Sequence, residues 1–106
     1  MTDSPHHELI DRVELLGTGD LLVGLASEGT AEYEHVYRAA GGVSWDRSMR
    51  GFRSSPIRQW SVPQWYAYVV SIVREELGVE LGLGDPVSWR NISERDRQDI
   101  EQAPAR

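Results

Sequence analysis

The chain has 106 residues, a net charge of −6 built from 11 Arg and 17 acids, four Trp, four Tyr, and neither Cys nor Lys. That length holds one hydrophobic core, and the absence of Cys excludes disulfides, thiolate chemistry and Cys-ligated zinc. An acidic balance disfavours general attraction to polyanions, and no apolar window reaches the roughly 18 residues of a membrane span. A single compact domain over residues 1–106, frayed at 1–3 and 104–106 and cytoplasmic, is the expectation.

Ser4 and Pro5 form a helix-start signal, and Leu9, Ile10, Val13 and Leu16 recur at helical intervals before Gly17, so a first helix is predicted. A hairpin around Gly17 to Asp20 is the competing reading. His6, His7 and Glu8 lie near Asp3 and Asp11, and His7 with Asp11 is an i, i+4 pair. Adjacent histidines point apart on a helix, however, and no established ligand spacing follows. The reading is solvated surface, with no metal site and no cofactor.

Leu21 to Ala26 is a short apolar run, followed by the turn-like Ser27 to Thr30. Glu32 to Arg38 then sets Tyr33, His35 and Tyr37 in alternation against Glu32, Glu34 and Val36, which predicts a second strand. A turn at Ala39 to Gly42 leads to a third strand containing Val43 and Trp45. Asp46 to Gly51 is predicted to turn, and Phe52 opens a fourth strand.

Ser61 to Gly78 carries the clearest signal. Ser61 is placed to cap a helix, Pro63 sits in its first turn, Gln64 can return a bond to the cap, and Gly78 closes it. Its apolar residues cover a broad arc, with Trp65, Val69, Ile72 and Val73 expected against a sheet. Val79 to Leu83 alternates as a strand, Gly84-Asp85-Pro86 is a turn signal, and Pro86 to Ile92 reads as a last strand or irregular cover. The polar stretch after Ser93 predicts a tail helix whose large apolar residue is Ile100. Together these give an α+β fold: a small antiparallel sheet of three to five strands packed on one long helix, with shorter terminal helices.

For acid and base chemistry the best candidate is His35, flanked by Tyr33 and Tyr37 on one strand face, with Asp46 brought near by the Gly41-Gly42 turn. The same alternation describes a half-buried strand with packing and hydrogen bonds. Ser44, Ser48, Ser54 and Ser55 lack a nucleophile frame, and no glycine cluster matches a phosphate-binding loop. The distinctive electrostatic feature is Arg47 to Arg58, which holds Arg47, Arg50, Arg53 and Arg58 and no acid while the rest of the chain carries −10. With Trp45 and Trp60 nearby, this stretch suits partner binding through arginine and aromatic anchors. Pairing of these arginines with the chain's own carboxylates is the competing account.

The function expected is a small non-catalytic protein-interaction or accessory protein, bound to a protein partner or to a second copy of itself. A small-ligand module or minimal enzyme centred on His35, Tyr33, Tyr37 and Asp46 is the alternative. Nucleic-acid binding through Arg47 to Arg58 is a third reading, opposed by the net charge.

Overall fold

The structure, a computed structural model, describes residues 6–38, 42–54 and 61–102. The elements in order are β1 (His6–Leu15), β2 (Leu21–Leu25), a 3-10 helix (Ala31–Arg38), β3 (Val43–Asp46), β4 (Gly51–Ser54), α1 (Val62–Leu77), β5 (Val79–Arg90) and α2 (Glu94–Gln102). The five strands form one sheet in the order β3-β4-β2-β1-β5. No helix among the described residues is long and apolar enough to cross a membrane.

The α+β class and the long helix agree with the sequence, but the sheet is mixed rather than antiparallel. β1 pairs antiparallel with β2 and parallel with β5, while β4 is antiparallel to both β2 and β3. β4 and β5 therefore run the same way, and α1 is the crossover that returns the chain between them.

The register explains where the core lies. Trp45, Phe52, Val23, Val13 and Trp89 form one row across all five strands, and with period-two alternation the row shares a face. That face meets Val62, Tyr66, Val69 and Val73, the buried stripe of α1. Trp65 and Ile72, expected in the core, are only partly buried at its margin, and Glu76 is exposed. The neighbouring row, Asp46, Gly51, Gly24, Arg12 and Ser88, belongs to the opposite face and is largely polar.

The helix α1 forms as its sequence specifies. Ser61 Oγ accepts from the Gln64 N–H at 3.3 Å, Gln64 Oε1 accepts from the Ser61 N–H at 2.8 Å, and Gly78 ends the helix at φ 68°. α2 is the expected thin tail helix, burying Ile100 and laying Arg97 over the Trp89 ring at 5.4 Å.

Two element assignments are overturned. His6–Leu15 is a strand, not the first helix, so the hairpin reading of Gly17 to Asp20 is the one the structure follows: Leu15 pairs with Leu21. On a strand, His7 and Asp11 are separated by about 13 Å, so their helical pairing disappears. Ala31–Arg38 is a 3-10 helix, not a strand. Gly84-Asp85-Pro86 does interrupt β5: Leu83 pairs with Ile10 and Ser88 with Arg12, so four residues bulge out opposite Asp11.

Candidate functional site

The 3-10 helix decides the fate of the proposed His35 centre. At three residues per turn, Tyr33 and Val36 fall on one side and are buried, while His35 is exposed. Tyr33 packs edge-on to Trp45 with ring centroids 5.2 Å apart and lies 5.6 Å from Phe52. Its hydroxyl donates to Glu8 Oε2 at 2.6 Å, and Ser27 Oγ donates to Glu8 Oε1 at 2.7 Å. Burial first, then the bond to Glu8 and that carboxylate's charge, push the Tyr33 phenol far above the ordinary tyrosine range. It is a neutral donor at any physiological pH.

Asp46 belongs to a different set of contacts. Its Oδ1 accepts from Ser48 Oγ at 2.8 Å and from the Met49 N–H at 3.1 Å, and its Oδ2 accepts from Arg53 Nη1 at 3.0 Å. The Ser48 hydroxyl, together with Arg53 and the Met49 amide, holds the carboxyl below its usual range against a smaller opposing effect of burial. Among the described residues no hydrogen bond or ion pair joins His35 to Asp46. Tyr33, His35 and Asp46 are thus not gathered into one centre, and the side chain of Tyr37 lies outside the described residues.

The arginine segment divides into separate roles. Arg53 bridges Asp46 and Asp20, with Nη2 2.7 Å from Asp20 Oδ2, and those two carboxylates raise its already high pKa. Arg47 pairs with Glu34 at 2.5 Å on the surface. Arg50 is exposed and, among the described residues, has no ion-pair partner. Arg58 and Trp60 lie outside the described residues. Trp45 is not a protruding anchor, being 9% exposed within the Tyr33–Phe52 cluster.

What the sequence did not suggest is a second wall facing these arginines. Glu28, Gly29, Thr30 and Ala31 stand opposite Arg47, Ser48 and Arg50, with Trp45 between them, and enclose a notch of about 450 Å³. This wall is closely fitted. Gly29 has φ 72°, and a Cβ there would lie 2.7 Å from the Tyr33 ring and 2.8 Å from Trp45 Cζ2. Its N–H donates to Ser27 Oγ at 3.2 Å, so Glu8, Ser27 and Gly29 tie the wall to β1. Gly29 within Ser27 to Thr30 was the available signal, although as a turn residue it has nothing to distinguish it.

The opposite wall is equally built. Arg50 N–H donates to the Arg47 carbonyl at 3.3 Å, the Leu25 N–H donates to the Arg50 carbonyl at 2.7 Å, and Arg12 donates to the Met49 carbonyl. Arg50 itself holds φ 54°, a conformation uncommon for a residue other than Gly, Asn or Asp. The notch contains neither His35 nor Asp46. It presents the guanidinium groups of Arg47 and Arg50, the hydroxyl-bearing Thr30 and Ser48, and the Trp45 ring.

No family model and no curated protein matches the chain. Among solved structures the chain is similar to Integron Cassette Protein Hfx_Cass5, from the mobile metagenome of the North West Arm sewage outfall. The identity is 32%, the match covers 88% of this chain and 90% of that one, and the TM-score is 0.40.

Proposed function

We propose that the protein is a small non-catalytic interaction module that holds a protein partner at the notch between Glu28–Ala31 and Arg47–Arg50. The observation that carries this reading is the notch itself, where two arginines and the Trp45 ring meet in a recess of about 450 Å³. Arginine and tryptophan are the residues most often found at the energetic centres of protein interfaces. A recess of this size accepts one or two side chains of a partner. Arg53, included in the partner surface expected from sequence, is instead a brace: it fixes Asp46, and Asp46 fixes the turn that displays Arg47 and Arg50.

The test is selection from a displayed random-peptide library against the folded protein, with bound peptides located by amide chemical-shift mapping. Peptides that perturb residues 28–31 and 45–50, and that no longer bind when Arg47 and Arg50 are both replaced by Glu, bear the reading out. Absence of any selected peptide at this notch overturns it.

A further inference from the structure

Resting on that reading, we infer that the notch recognises a single carboxylate, an Asp or Glu side chain of the protein partner, with Arg50 as its receptor. The arginines in and around the turn after β3 differ in what they already hold. Arg53 is taken by Asp20 and Asp46, Arg12 by Asp11 and the Met49 carbonyl, and Arg47 by Glu34. Of these four arginines, Arg50 is the one whose guanidinium has no such partner among the described residues, and it lines the notch.

Its backbone supports the same assignment. Two residues other than glycine have positive φ among those described, Arg50 at 54° and Asn91 at 57°. Asn tolerates that conformation comparatively well, whereas Arg carries the full Cβ penalty. Glycine would relieve it. A cationic side chain placed where the turn favours glycine is strain held at a recognition site. The Arg50 carbonyl is fixed by the Leu25 N–H and its own N–H by the Arg47 carbonyl, so the side chain leaves the turn from an anchored base.

The charges around the recess favour a carboxylate over a phosphate backbone. Glu28 lines the notch and Glu34 lies beside it on Arg47. A run of phosphates would meet both acids and the remaining negative surface, whereas a single carboxylate can reach Arg50 and leave them untouched. Trp45, which lines the notch, offers the methylene groups of that acid an apolar contact.

The experiment uses the folded chain with three probes: a blocked tetrapeptide Gly-Asp-Glu-Gly, its amide counterpart Gly-Asn-Gln-Gly, and a ten-residue oligothymidylate, each titrated with amide shift mapping. The acidic peptide is expected to bind at residues 28–31 and 45–50 about tenfold more tightly than its amide counterpart. R50G should weaken it about tenfold while leaving the thermal midpoint unchanged or raised, since glycine relieves the backbone. Equal binding of the two peptides, undiminished binding by R50G, or tighter binding of the oligonucleotide at the notch overturns the carboxylate assignment. The library selection separates that failure from failure of the interaction reading: selected peptides that occupy the notch without acidic enrichment remove the carboxylate assignment alone, and an empty notch removes both.

Discussion

Arg12 and Met49 are 37 residues apart in sequence, and the Arg12 guanidinium reaches the Met49 carbonyl by lying over the bare backbone of Gly24. A Cβ on Gly24 would come within 2.7 Å of Arg12 Nη2 and 2.8 Å of Cζ. Gly24→Ala is therefore expected to dislodge Arg12, free the Met49 carbonyl and destabilise the protein by about 1–2 kcal/mol. Urea unfolding measures the cost, and hydrogen exchange at Met49 and Arg50 reports the loosened turn. Unchanged midpoint and exchange would show that Arg12 does not brace it.

A second brace is Arg53, whose partners Asp20 and Asp46 are themselves mostly buried, at 16% and 20% side-chain exposure. Replacing it with Met leaves two carboxylates short of a cation and should cost about 1–3 kcal/mol. The pH dependence follows from the depressed Asp46 pKa, caused first by the Ser48 hydroxyl and also by Arg53. Its stabilisation is present above the unfolded aspartate value of about 3.9 and is lost as pH falls through the lower folded value. Ser48→Ala and Arg53→Met should each raise the Asp46 carboxyl titration by NMR and start acid unfolding at higher pH. No shift in either variant would contradict the bonding described.

At the alkaline end the sign reverses. Burial raises the Tyr66 phenol to about 12, and Tyr33 is pushed further. Both fold as neutral phenols, so their stabilisation is complete below the unfolded tyrosine value of about 10 and declines as pH rises beyond it. Spectrophotometric titration should show Tyr33 and Tyr66 ionising late and together with unfolding. Tyr33→Phe keeps the ring but removes the donor to Glu8, with an expected loss of about 1–2 kcal/mol at neutral pH that narrows above pH ~10.

The long helix gives the simplest stability test. Val69 is fully buried between α1 and the sheet, and Val69→Asp should abolish cooperative unfolding by placing an unpaired charge there. Ser61→Ala removes one half of the capping box and should cost about 1 kcal/mol, with Ser61→Gly costing only a few tenths. A native-like urea midpoint for Val69→Asp would contradict the packing.

Sequence reading succeeds for α1 because cap, periodicity and terminal glycine all agree there. It fails at β1 for a specific reason. Ile10 pairs with Leu25 and Arg12 with Gly24, so Asp11 is an extra residue in the strand. That bulge reverses the inward and outward alternation, bringing Ile10 and Val13 to the same side at a spacing of three, which imitates a helix. Glu8 deepens the disguise by occupying an inward position as a buried carboxylate. The 3-10 helix is misread for the converse reason: its inward residues Tyr33 and Val36 are three apart, and the Tyr-His-Tyr alternation laid over them is incidental. Arg47 and Arg50 were apparent as charge. The wall opposite them was not, because bringing Gly29 against Trp45 is a tertiary contact with no periodic trace.

The parallel pairing of β1 with β5 has a consequence for synthesis. As the chain leaves the ribosome, β1 and β2 are available as a hairpin early, but the other edge of β1 has no neighbour until residues 79–90 have emerged. Such non-local pairing is slow to form. Until it does, a nascent chain exposes an unpaired strand edge, the form of intermediate most open to misassociation and most in need of chaperone cover. A ribosome stalled before β5 would hold the chain in that open state however complete its hairpin and long helix had become.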